Sequence, residues 1–173
     1  MFLRRILLTL FVYTIAYSYT CAQTDDFCDA ITTIVRDAPN QFRNIKGKAI
    51  KAGTNALAWE CGIKVSGSID SRFVASNGLF YEGAFFQSKN KNEVRAAYNK
   101  YKELLGFCLQ LQGYKLTVQD NFYPGMSAYK KLAFMPEIKG DVKLQDLPAH
   151  VTMETTYSKD VGKYTIVVYI FEH

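Results

Sequence analysis

Residues 92–113 read NEVRAAYNKYKELLGFCLQLQG. Val94, Ala97, Tyr98, Tyr101, Leu104, Leu105, Cys108 and Leu111 recur at steps of three and four, the spacing that gathers side chains on one stripe of an α-helix. Asn92 suits a helix cap, and Gly113 suits the left-handed position just past the end. A helix of this kind is held mainly by the apolar surface it covers, so the rest of the chain has to build that surface.

Upstream, Phe27, Ile31, Ile34, Val35, Ala38, Phe42 and Ile45 keep helical spacing across Pro39, which predicts one kinked helix from Thr24 to Gly47 with Asp25 and Asp26 at its start, and with a second short helix carrying Pro39 in its first turn as the alternative. Arg43, Lys46, Lys48 and Lys51 then follow with no acidic residue between Asp37 and Glu60. They read as a solvated, dipole-favoured helix end, with an anion or acidic-partner patch as the alternative.

Period-two alternation over Leu57–Ser66 predicts a strand with one core face and one wet face. Asn77-Gly78 between two apolar runs predicts a hairpin whose turn residues both take positive φ. Beyond the helix, Tyr114–Gln119, Tyr129–Met135, His150–Tyr157 and Lys163–Glu172 read as strands, and KYTIVVYIFE is apolar on both faces, as a central strand would be. The expected fold class is therefore α+β, an antiparallel sheet of about six strands with two helices packed on one face, in the order α-β-β-α-β-β-β-β.

The chain opens with Arg4 and Arg5, an apolar run from Ile6 to Ala16, and small or polar residues up to Ala22. That is the layout of a signal peptide at residues 1–22, followed by a single domain at 23–173. Lipidation at Cys21 is the weaker alternative, because Ser18, Tyr19 and Thr20 make a poor lead-in. The expected location is the periplasm or the cell exterior, with no membrane span in the mature chain. The 21 basic residues face 16 acidic ones, and losing Arg4 and Arg5 with the leader brings the balance closer to neutral, which gives no reason to expect nucleic acid as a partner.

Export permits disulfides, and three cysteines follow the leader. Cys28 falls in the first turn of the first helix and Cys108 in the last turns of the second, so antiparallel packing of the two pairs Cys28 with Cys108. Cys61 is left over as a small hydrophobe on an apolar strand face.

Chemistry-bearing patterns are sparse. The two histidines, His150 and His173, belong to no metal-ligand spacing, and no cofactor motif occurs. Ser127 lies in GMSAY, which lacks the second glycine of a nucleophile elbow. His150, Thr152 and Glu154 share a strand face, and Glu60, Glu82 and Glu154 are carboxylates that separated strands could bring together. Phe122, Tyr123 and Met126, beside the Pro124-Gly125 turn, are candidate anchors for a protein partner, since aromatics in a rigid turn offer large contact area.

The leader, a first helix ending in the segment Phe42 to Gly47, a hairpin, and a second helix carrying the late Cys108 together resemble small exported bacterial α+β proteins of unassigned function. The resemblance implies export and fold class and carries no reaction. The functional expectation is a non-enzymatic binding protein of inhibitor or immunity type. The alternatives are a small periplasmic hydrolase using carboxylates from separated strands, and a structural envelope component. Oligomeric state stays open.

Overall fold

The structure, a computed structural model, describes residues 26–52, 56–117, 131–137 and 149–172. The leader, Cys21, Phe122, Tyr123, Met126, Ser127 and His173 lie outside them.

Helix α1 spans residues 26–37 and passes into a 3-10 turn at Ala38–Asn40, with Pro39 inside it. Four strands follow: β1 (Lys46–Ala52), β2 (Ala56–Cys61), β3 (Asp70–Ala75) and β4 (Leu79–Ser88). Helix α2 (Lys91–Gln110) precedes four more: β5 (Tyr114–Thr117), β6 (Lys131–Pro136), β7 (His150–Ser158) and β8 (Lys163–Phe171). All eight form one antiparallel sheet ordered β1-β2-β3-β4-β8-β7-β6-β5. An α-β-β-β-β unit thus occurs twice, and the last strand of each unit meets the other at the centre. β8 lies between β4 and β7, the central place its two-sided apolar sequence called for.

The fold class is as expected, while the strand count differs. The single kinked helix over Thr24–Gly47 is not formed, because helical backbone ends at residue 37. Gln41 and Phe42 both take left-handed φ values, 56° and 53°, and reverse the chain. Phe42 keeps its place in the core by a different route, packing fully buried against Phe73 at 4.8 Å between ring centroids. The buried Asp37 carboxylate holds the reversal together, accepting bonds from the Asn44 backbone N–H at 3.0 Å, the Asn44 side-chain amide at 2.5 Å and the Asn40 amide at 3.2 Å. Residues 46–52 are consequently a strand at the sheet edge and not a helix end.

Smaller differences have local causes. The cap of α2 is Asn90, whose side chain accepts the Asn92 N–H at 2.9 Å. Leu111 falls past the last helical residue and is 70 % exposed, while Leu109 joins Val94, Tyr98, Leu105 and Cys108 on the buried stripe. The strand foreseen over Leu57–Ser66 stops at Cys61, where the Gly62 N–H bonds the Ile45 carbonyl and the chain turns so that Val65 enters the core. In the β3–β4 hairpin, Ala75 pairs with Leu79 around three residues, and of the Asn-Gly pair only Gly78 has positive φ.

Both helices lie on one face. Phe27 of α1 meets Phe85 of β4 edge-on at 5.6 Å and Tyr101 of α2 at 6.3 Å. Under the helices lie Phe73, Tyr81, Leu132, Phe134, Val151, Met153, Ile166, Val168 and Ile170. A disulfide joins Cys28 to Cys108, with the Cα atoms 5.0 Å apart. Among the described residues Cys61 is the free thiol, half-buried on the same inner face, and burial pushes its thiol pKa up. A thiol held neutral is a poor nucleophile, in keeping with a packing role.

Candidate functional site

Side chains alternate across a strand, so once the inner face is fixed the register dictates what the helix-free face carries. On β4 these are Phe80, Glu82 and Ala84; on β8, Val167, Tyr169 and Phe171; on β7, His150, Thr152 and Glu154. The register places Phe80 opposite Phe171 and Phe171 opposite His150, with Glu82, Tyr169 and Thr152 forming the adjoining row. Phe80 meets Phe171 at 5.3 Å and Tyr169 at 5.9 Å, and His150 stacks on Phe171 at 4.5 Å with only 11° between the planes. Phe80, His150, Tyr169 and Phe171 are all half-buried.

Val74 extends the apolar row on one side, opposite Phe80. Charged pairs flank the cluster. Arg72 binds Glu82 at 2.9 Å, and Lys131 lies 3.9 Å from Glu154. Thr152 is only 5 % exposed, and its buried hydroxyl has no hydrogen-bond partner among the described residues. An unsatisfied buried hydroxyl costs about 1–3 kcal/mol, so a ligand group that reached it would recover much of that.

His150, Thr152 and Glu154 do share a face, as the alternation required. His150 is engaged by Phe171, however, and Glu154 faces Lys131. Glu60, Glu82 and Glu154 also share this face. Glu60 and Glu82 both stand opposite Arg72, while Glu154 lies on a different row, two strands from β4. A hydrolytic carboxylate pair needs its two groups about 5–9.5 Å apart with one raised acid, and here Glu82 and Glu154 are each set against a cation of their own. Among the described residues no group of three or more metal-ligating side chains gathers, and no helix is long and apolar enough to cross a membrane.

Sequence reading did not single out Phe80, Tyr169 and Phe171. The signal for Tyr169 and Phe171 was present in KYTIVVYIFE: a strand apolar on both faces in a protein whose helices cover one face must show apolar or aromatic side chains on the other. Comparison with protein-family models, with curated proteins and with solved structures returns no match.

Proposed function

We propose that the chain is an exported, non-enzymatic binding protein that engages a protein partner through the helix-free face of its sheet. The observation that carries this is the contiguous aromatic group of Phe80, Tyr169, Phe171 and His150 at the centre of that face, framed by the Arg72–Glu82 and Lys131–Glu154 pairs. Central aromatics ringed by polar groups are the usual composition of a protein interface, and aromatic anchors dominate binding energy. Export is supported by the Cys28–Cys108 disulfide, which persists in oxidising compartments and is rare in the cytosol. An inhibitor or immunity role fits, because it requires only a rigid scaffold and a surface.

The test is a comparison of partner retention by wild type, by Phe80→Ser with Phe171→Ser, and by Phe107→Ser as a control on an exposed residue of α2. Retention by wild type and the control, with loss from the double variant while circular dichroism and the disulfide are unchanged, is the expected outcome. Equal retention by all three contradicts the proposal.

A further inference from the structure

The two ends of the sheet are chemically different. β5 carries Lys115, which is paired with Glu137 at 2.7 Å. β1, at the other end, pairs among the described residues only with β2, and Gly47, Lys48, Ala49, Ile50 and Lys51 are all exposed. Lys46, Lys48 and Lys51, with Arg43 just before them, make no salt bridge among the described residues, and no acidic residue occurs between Asp37 and Glu60. Among the described residues the outer side of β1 therefore combines a row of backbone N–H and C=O groups without a strand partner, Gly47 and Ala49, whose lack of bulk permits close approach, and positive charge without a salt bridge.

Lysines on an edge strand repel a second copy of the same edge. They do not repel an extended segment of opposite charge, to which both the backbone ladder and the ammonium groups are complementary. We infer that β1 is a strand-addition site for an acidic, extended peptide segment of a partner, which would add a ninth strand beside β1 and set carboxylates on its two faces against Lys48 and Lys51, which alternation turns to opposite faces of the sheet. The site is separate from the aromatic face and stands whether or not that face binds a partner.

Trp59, the only tryptophan, is a built-in reporter, because the Lys46 amine lies 4.5 Å above its ring across the β1–β2 pair. An eight-residue peptide of Glu, Val and Thr with Glu on both strand faces is titrated into the protein while Trp59 emission and amide hydrogen exchange are followed. A Lys-for-Glu version of the peptide and inorganic tripolyphosphate serve as comparison probes. The expected result is saturable binding of the acidic peptide only, slowed exchange at residues 47–51, and weakening by added salt. Lys48→Glu with Lys51→Glu should weaken binding by about tenfold or more, whereas Lys102→Glu on α2 should not. Binding without protection at 47–51, equal protection by tripolyphosphate, or indifference to the Lys48 and Lys51 reversals would each overturn the inference.

Discussion

The ring of Tyr81 lies over Gly83, two residues along the same strand and on the same face, with its hydroxyl in the space a Cβ at position 83 would take. That Cβ would also come within 2.8 Å of Tyr81 Cζ and 2.9 Å of Phe85 Cε2. All three residues are buried where β4 passes under both helices. Gly83→Ala is expected to cost about 1–3 kcal/mol by overpacking. The cost should shrink when Tyr81→Leu is made first, since Tyr81 supplies the two nearest of those atoms. Chemical denaturation of the two single variants and the double variant measures this, and additive losses would contradict the contact.

The disulfide closes a sequence separation of 80 residues and ties the start of α1 to the end of α2. The chain-entropy account gives about 4 kcal/mol for a loop of that size. Cys28→Ser with Cys108→Ser should lower stability by roughly that amount. Cys61→Ala should leave peptide mapping of the Cys28–Cys108 bridge unchanged.

Asp37 is the hub of the turn that sends the chain from α1 into β1. Asp37→Ala removes the acceptor of three bonds and leaves the Asn44 backbone N–H without it. A loss of about 2 kcal/mol is expected, with faster hydrogen exchange concentrated in residues 41–51. Asp37→Asn, which keeps one acceptor oxygen, should lose less.

Alkaline pH should destabilise the fold through its buried phenols. The Tyr114 hydroxyl donates to the Ala149 carbonyl at 2.7 Å, and burial pushes its pKa from 10.0 up to about 12. Burial also raises Tyr101 and, more strongly, Tyr81. A raised acid holds its proton more tightly when folded, so its contribution is complete below the unfolded pKa and is lost as pH rises through the folded value. Stability should therefore fall from about pH 10 upward. Tyr114→Phe should be less stable at neutral pH by about 1 kcal/mol and should show a shallower alkaline decline between pH 10 and 12.

The two helices, the central strand and the bridge were legible because each rests on a local pattern: periodicity in α1 and α2, two-sided apolarity in β8, and the positions of Cys28 and Cys108 at helix ends. β1 was not. Its sequence, KGKAIKA, has one large apolar residue and three lysines, so nothing in it marks a strand until pairing with β2 supplies the reason. Phe42 and Ile45 continued the helical spacing by coincidence, since their burial comes from the reversal at Gln41 and Phe42 and not from a helical stripe. With β1 hidden, the repeat of an α-β-β-β-β unit was hidden too. The aromatic face was only half legible, because the membership of Phe80, Tyr169, Phe171 and His150 in one cluster depends on register between strands far apart in sequence.

The most direct test of the proposed binding surface is site-specific photocrosslinking of the protein. A photoreactive side chain is placed at Met135, exposed at the rim of the helix-free face, and separately at Asn99 on the exposed side of α2. The aromatic face as binding surface predicts a discrete crosslinked species from position 135 and none from position 99, abolished by Phe80→Ser with Phe171→Ser. Crosslinking from 99 alone, or an adduct from 135 indifferent to those two substitutions, would contradict it.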